Sequence, residues 1–401
     1  MPAHRAYLDH NATSPLRPAA REAMLAAMDS GGNPSSVHAE GRAAKGMVET
    51  ARAKVAALVG ARPDNVIFTS GATEAAHLAL TPSIHVDSTE HIAPLLYRST
   101  TEHPCVEAMG RFPAHRVVPL AVDGTGTITD KTLDAMFHEH DDAQGPLFVA
   151  VQMVNSETGV IQPVADIARR VRLRGGFTLT DAVQAAGRMP LSIGELGVDF
   201  MMLSAHKLGG PQGVGALVLG AANVTPLPFP QGGGQERGFR SGTENVPGIA
   251  GFGAAAVEAA QEAQNYARIS TLLDSIEARL APICETAGLS GAPNIFGEGA
   301  QRVGNTSAFA VPGLRAETAL IGMDLEGVAI SSGSACSSGK VGRSHVLSAM
   351  GVDADLAGCA LRVSLGWNST AEDADTFCAA LERILKRAVS AIQPVKTKSA
   401  A

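Results

Sequence analysis

Between about residue 20 and residue 245 the chain alternates short apolar runs with stretches whose apolar residues recur at helical spacing, and few folds accommodate that rhythm. Apolar runs each followed by an amphipathic helix are buried together in an open, mainly parallel sheet flanked by helices. The predicted strands are Val66 to Thr69, Arg116 to Pro119, Leu147 to Gln152, Phe177 to Thr180, Phe200 to Ser204 and Gly215 to Leu219. Between them, Pro163 to Arg174 places Val164, Ile167, Ala168 and Val171 on one side of a helix.

The rhythm changes after the glycine-rich stretch Gln231 to Gly242. A long helical region from Gly248 to Ala287 leads to strands at Gly304 to Val311, Val328 to Ser331 and Leu361 to Leu365, with helices at Ala316 to Asp324 and Ala371 to Ala391. This pattern predicts a large α/β domain over 16–247, a smaller α+β domain formed by 1–15 with 248–395, and a disordered tail over 396–401.

Composition excludes several functions. With 39 acidic against 32 basic residues, the chain has no basic surplus to neutralise a nucleic-acid backbone. Gly248 to Ala263 is weakly polar, yet Glu258, Gln261 and Glu262 make it a packed helix rather than a membrane span. Met1 to Asp9 has neither the apolar core nor the small-residue cleavage site of a secretory signal, which points to the cytoplasm. Cys105, Cys284, Cys336, Cys359 and Cys378 stand far apart, so neither a disulfide framework nor a metal site is expected.

In open α/β sheets ligands gather at the carboxyl ends of strands, so polar residues just after predicted strands carry the chemical information. In Phe68-Thr69-Ser70-Gly71-Ala72-Thr73-Glu74 a strand breaks at glycine and opens into a helix, a place where free N–H groups suit a phosphate or where Ser and Thr simply cap. Thr178 to Gln184 is an apolar strand tipped by Asp181; next to a pyridine ring that carboxylate would keep the ring nitrogen protonated, and otherwise it caps the following helix. Phe200 to Pro211 leaves Lys207 at the end of a fully apolar strand. Desolvation there would lower the pKa of the amine and make it a nucleophile, the alternative being a lysine snorkelling out of a turn. Ser331 to Gly339 surrounds Cys336 with small residues, which describes either an open, reactive thiol or a flexible linker with an incidental cysteine.

Taken together, in this order and spacing, these segments resemble the cysteine desulfurases of the class-V aminotransferase group, a branch of the fold-type I pyridoxal-phosphate enzymes. The resemblance runs from Tyr7-Leu8-Asp9-His10-Asn11-Ala12-Thr13 to Arg362-Val363-Ser364-Leu365-Gly366 and is most specific in Ser204-Ala205-His206-Lys207, Arg240-Ser241-Gly242-Thr243 and Ser331 to Cys336. It implies a pyridoxal 5'-phosphate cofactor held on Lys207, which also moves the Cα proton. It further implies Asp181 at the pyridinium nitrogen, Gln184 at the ring hydroxyl, and His103 stacked on the ring and assisting proton transfer. Ala72, Thr73, Ser204 and His206 match the phosphate cradle, and Thr243 matches a residue that reaches the phosphate across a homodimer interface. Asn155 and Arg362 resemble the substrate-side pair, the guanidinium gripping the carboxylate of L-cysteine. Cys336 would take the sulfur as a persulfide, with alanine released. Lys340, Arg343 or His103 would assist its deprotonation.

The chain departs from the family at His77 and Ser156, where many relatives carry asparagine, and over Thr81 to Ser99. The loop between Cys336 and His345 has the length of the NifS/IscS-like subgroup, which implies direct transfer to a sulfur-acceptor protein such as an iron–sulfur scaffold. The competing readings are an aminotransferase or selenocysteine lyase on the same scaffold, and a sulfur carrier without catalysis.

Overall fold

The computed structural model describes residues 5–87, 89–264, 266–289, 292–333 and 343–392. Cys336, Lys340 and the tail 396–401 lie outside the described residues. The chain divides into two compact units, one of 13–156 and 160–266, the other of the described parts of 1–12, 157–159 and 267–401.

The larger unit is built on seven strands: β1 (Val66–Thr69), β2 (Leu96–Ser99), β3 (Val117–Leu120), β4 (Phe148–Ala150), β5 (Phe177–Asp181), β6 (Phe200–Ser204) and β7 (Gly215–Leu219). They lie in the order β1-β7-β6-β5-β4-β2-β3. β7 runs antiparallel to both of its neighbours, and the pairs from β6 across to β3 are parallel. The predicted central strands are present to within a few residues at each end. β1, β5, β6 and β7 are buried along their whole length, as expected where helices cover both faces. Ile67, Leu78, Leu80, Phe148, Phe200, Met202 and Leu217 belong to one buried cluster beneath the sheet's helices, in which the Phe148 and Phe200 rings stack with centroids 6.1 Å apart.

Helices α1 (Pro18–Ser30), α2 (Ala39–Leu58), α3 (Ala72–Ala79) and α4 (Pro104–Glu107) belong to this unit, together with Val246–Ala263. The last of these corrects the expected boundary after residue 247. A Cβ on Gly251 would lie 2.7 Å from Cγ of Met24, and one on Gly253 would lie 2.7 Å from Cα of Ala51. The small residues therefore let this helix pack at close range on α1 and α2, and the division falls after residue 266. The predicted helical region Gly248 to Ala287 is accordingly two helices, Val246–Ala263 and Ala267–Thr286. The stretch around 81–99 holds a hairpin, Ser83–Val86 with Thr89–Ile92, that Val224–Pro226 extends to three strands.

The smaller unit contains β8 (Asn294–Ile295), β9 (Thr306–Ala310), β10 (Ser331–Ser332) and β11 (Ala360–Ser364), antiparallel in the order β8-β9-β11-β10. The predicted strand Val328 to Ser331 is split: Val328–Ala329 pairs in parallel with Ala6–Tyr7, while β10 pairs with β11. No described helix is long and apolar enough to cross a membrane.

The glycine-rich stretch after residue 230 is fixed to the sheet by charge. Both terminal guanidinium nitrogens of buried Arg52 donate to buried Glu236, at 2.7 and 2.9 Å, and Glu236 also accepts the Phe68 N–H of β1 at 2.8 Å. Removing Glu236 leaves the buried Arg52 with half-exposed Glu49 as its counter-charge and the Phe68 N–H without its acceptor. Glu236→Ala is therefore expected to cost about 3–5 kcal/mol of stability in urea unfolding, and an Arg52→Met, Glu236→Leu double replacement should cost much less than the single one.

Candidate active site

The close approach that builds the site is at Gly215, which pairs with Thr69 at the end of β1 on one side and with Ser204 at the end of β6 on the other. A Cβ there would come within 2.6 Å of both the Gly71 carbonyl carbon and the Leu203 oxygen, so only glycine fits. The antiparallel β7 thus sets the Ser70-Gly71 corner and the start of α3, with Ala72 and exposed Thr73, beside Ser204 and the turn that follows it. No side chain caps α3, whose first-turn N–H groups and dipole suit an anion. Glu74 secures the corner by accepting from Ser70 N–H at 2.5 Å and from Arg240 Nε at 2.9 Å. Burial raises the Glu74 carboxyl, but these donors outweigh it and hold the group below its ordinary range. Thr243, three residues beyond Arg240, is exposed and lines a small cleft with Thr69 and Ser70.

β6 ends in a tight turn, Ala205–Lys207, with Lys207 half-buried. The start of the chain clamps this turn. Ser14 N–H donates to His206 O at 2.9 Å, and Thr13 Oγ1 lies 3.1 Å from His206 Nδ1. Arg17, 3% exposed, donates to Leu208 O at 2.8 Å and reaches Glu258 and Glu262 with its other nitrogens. Gly209, at φ +86°, turns the chain back where a Cβ would strike Cγ of Arg17 at 2.6 Å. Burial, and then the Lys207 charge, pull the His206 imidazole down to about 4, so the ring is neutral at neutral pH.

Asp181 closes β5 and is buried, its Oδ1 accepting Val183 N–H at 2.9 Å. Burial pushes its carboxyl up to about 6, against the opposing pull of that N–H and of the Lys207 charge. Gln184, one turn on, has its side-chain oxygen engaged by Arg188 Nη1, which leaves its amide nitrogen as the donor end. On the neighbouring strand ends, Gln152 Nε2 donates to Thr101 O at 2.7 Å, Asn155 Nδ2 donates to the same oxygen at 3.1 Å, and Gln152 N–H donates to buried Glu102 at 2.7 Å. Burial and the Asp181 charge raise the Glu102 carboxyl well above its ordinary range. These bonds tie Asn155 to the loop carrying His103, which caps α4 with its ring, Nδ1 accepting Cys105 N–H at 3.2 Å.

The smaller unit holds Arg362 on β11, 1% exposed, with Nη2 donating to Asp9 Oδ1 at 2.8 Å. In the same unit Ser344 donates to buried Glu157 at 2.6 Å, and burial raises that carboxyl to about 7 against the pull of Ser344, His345 and Arg362.

The larger unit therefore brings the Lys207 amine, the buried Asp181 carboxylate, the Gln184 side-chain amide and a helix-start anion site to the same strand ends. That donor set fits pyridoxal phosphate: Ala72, Thr73, Ser204 and His206 for the phosphate, Asp181 for a protonated ring nitrogen, Gln184 for the ring hydroxyl and Lys207 for the aldehyde. A buried carboxyl raised by desolvation gains most from a cationic ring nitrogen, which supplies the partner that water no longer does. Sequence reasoning missed Thr13, Ser14, Arg17, Glu102 and Gln152, all of which act by holding other site residues. Gln152 is signalled only by being polar just after an apolar strand, and Glu102, which follows the mixed-polarity β2, carries no such signal.

The Aminotransferase class-V family model matches residues 6–377. An IscS-like cysteine desulfurase of Mycobacterium tuberculosis is 38% identical over 394 residues, which span 96% of this chain and 97% of that protein. A selenocysteine lyase of Bos taurus is 35% identical, over 96% of this chain and 94% of that protein. Among solved structures, a NifS-like protein from Rickettsia africae is similar with a TM-score of 0.84 at 33% identity, covering 95% of this chain and 99% of that one.

The raised Asp181 carboxyl sets a stability signature. Between about pH 4 and pH 6 the folded state holds a proton that the unfolded chain has already released, so stability falls as pH rises through that window. At pH 7 the ionised group costs the folded state about 3 kcal/mol. Asp181→Asn, without cofactor, is expected to unfold at higher urea than the parent at pH 7 and to lose most of that advantage by pH 4; equal midpoints at pH 7 would refute this account of Asp181.

Proposed function

The chain belongs to the class-V aminotransferase family, in its NifS/IscS-like cysteine desulfurase branch, and on that premise we propose that it converts L-cysteine to L-alanine, leaving the sulfur as a persulfide on Cys336. The observation that carries the reading is Lys207 half-buried at the end of β6, beside buried Asp181 and next to the anion site at the start of α3. Bound there, pyridoxal phosphate supplies an electron sink that weakens bonds at the substrate's Cα and Cβ.

The chain's own residues do the remainder. Asp181, as carboxylate, holds the proton on the ring nitrogen, and Gln184 donates to the ring hydroxyl from its amide nitrogen. Ala72 and Thr73 N–H groups, with the Ser204 hydroxyl, hold the phosphate; neutral His206, anchored on Thr13, adds no charge that would compete with Lys207. Lys207 carries the cofactor and then takes the Cα proton at Nζ. His103 would stack on the bound ring, and Asn155 would orient the substrate side from its anchor on Thr101. Arg362, anchored on Asp9 through one of its nitrogens, would pair with the substrate carboxylate. The Cys336 thiolate attacks the substrate sulfur; the C–S bond breaks, the S–S bond forms, and the three-carbon product gains a proton at Cβ. L-cysteine plus a thiol thus becomes L-alanine plus a persulfide, with no outside oxidant.

Transfer to a sulfur-acceptor protein such as an iron–sulfur scaffold, assembly as a homodimer in which Thr243 completes the phosphate site of the partner subunit, and a cytoplasmic setting complete the proposal. The expected result for Cys336→Ala is normal cofactor absorbance with alanine formation from cysteine reduced to background. Lys207→Ala should lose both the borohydride-reducible linkage and, by about 10²–10⁴-fold, turnover. Unchanged sulfide and alanine release by Cys336→Ala would move the chain to the lyase reading, in which the thiol is dispensable.

A further inference from the structure

His103 caps α4, as His38 caps α2, with a ring nitrogen as the acceptor in place of a hydroxyl or carboxylate. Its Nδ1 accepts the Cys105 backbone N–H at 3.2 Å, and the Cys105 sulfur lies 3.1 Å from the same atom. A backbone amide donates at every pH, so Nδ1 must present its lone pair, and a neutral imidazole with a lone pair on Nδ1 carries its hydrogen on Nε2. The buried thiol acts in the same sense. Burial, with Asp181 and Glu102 nearby, pushes it far above the usual thiol range, so the sulfur keeps its proton and meets Nδ1 as S–H.

We propose that Cys105 is a positioning residue for His103: its N–H and S–H together hold the ring as the Nε2–H tautomer, so that His103 serves the reaction as a fixed hydrogen-bond donor and not as a base. The functional part of this statement rests on the desulfurase reading above. A neutral ring in this state can take a proton only on Nδ1, which would turn a second donor against the Cys105 N–H, break the helix cap and leave a buried thiol facing N–H instead of a lone pair. In this state His103 takes neither the Cα proton nor the proton of Cys336. A neutral histidine that polarises without being protonated is a known catalytic device elsewhere.

The test is made on the holoenzyme labelled with ¹⁵N-histidine, with His103→Asn identifying the His103 signals among the 12 histidines. The expected wild-type spectrum at neutral pH has Nε2 protonated and Nδ1 unprotonated. Cys105→Ala removes one of the two donors that favour the neutral ring, so its second protonation should move up by about one pH unit, while Cys105→Ser, which keeps an O–H donor, should stay near the wild type. Glu102 on the same loop and Asp181 at the end of β5 face the thiol, with Arg98 and Glu107 beside Glu102, and they act alike in all these proteins, so the difference reports Cys105. An Nδ1-protonated or doubly protonated ring in the wild type at pH 7, or identical titrations in wild type and Cys105→Ala, would overturn the proposal. Alanine formation by the wild-type holoenzyme is measured separately: its absence sinks the desulfurase reading and leaves the tautomer result standing.

Discussion

Main chain meets main chain at Gly215, and the site depends on that contact. Because β7 enters between β1 and β6 against their direction, its first residue faces the ends of both, and the absence of a side chain lets the Gly71 corner close on it. Two loops more than 130 residues apart in sequence, Ser70–Thr73 and Ser204–Lys207, become neighbours as a result. Neither loop alone is more than a cap or a turn. Side by side, they pair a helix start with a lysine.

The same closeness excludes water, and where no strong donor intervenes, as one does at Glu74, exclusion of water displaces the buried groups there. Desolvation is the largest cause of the rise at Asp181, Glu102 and Cys105 and of the fall at His206. A uniform environment thus produces opposite shifts in acids and in a base, and in each case the neutral form gains. Elsewhere in the larger unit a buried charge is met by its counter-charge, as at Arg52 and Glu236. At the strand ends carboxyls are gathered in excess of cations, a local cost in stability of the kind that collects at functional sites.

How much of this was legible in the sequence follows from what each residue contacts. β1, β5, β6 and β7 were readable because strands buried on both faces are apolar throughout, and the polar residues that end them stand out. β2, with the sequence Leu-Tyr-Arg-Ser, was missed because four residues of mixed polarity carry no period. The Ser83–Ile92 hairpin was missed because one of its strands, Thr89–Ile92, is mostly solvent-facing and has no apolar alternation. The boundary placed after 247 was wrong for a reason of packing: Gly251 and Gly253 mark a helix pressed onto α1 and α2, and glycine in a helix announces close contact without naming the partner. The ring cap at His103 was illegible, since Ser, Thr, Asp and Asn are the residues that signal a cap.

The clamp on the lysine turn has a bearing on how the protein is made. Arg17, near the start of the chain, is held by Leu208 from the turn itself and by Glu258 and Glu262 from a helix some fifty residues further on. Synthesis runs from the amino end, so the turn bearing Lys207 has left the ribosome well before the carboxylates that neutralise Arg17. Until that helix docks, the arginine would be a buried cation without a counter-charge, and the turn cannot settle. The lysine site therefore settles only once the helix that ends the larger unit has docked on α1 and α2.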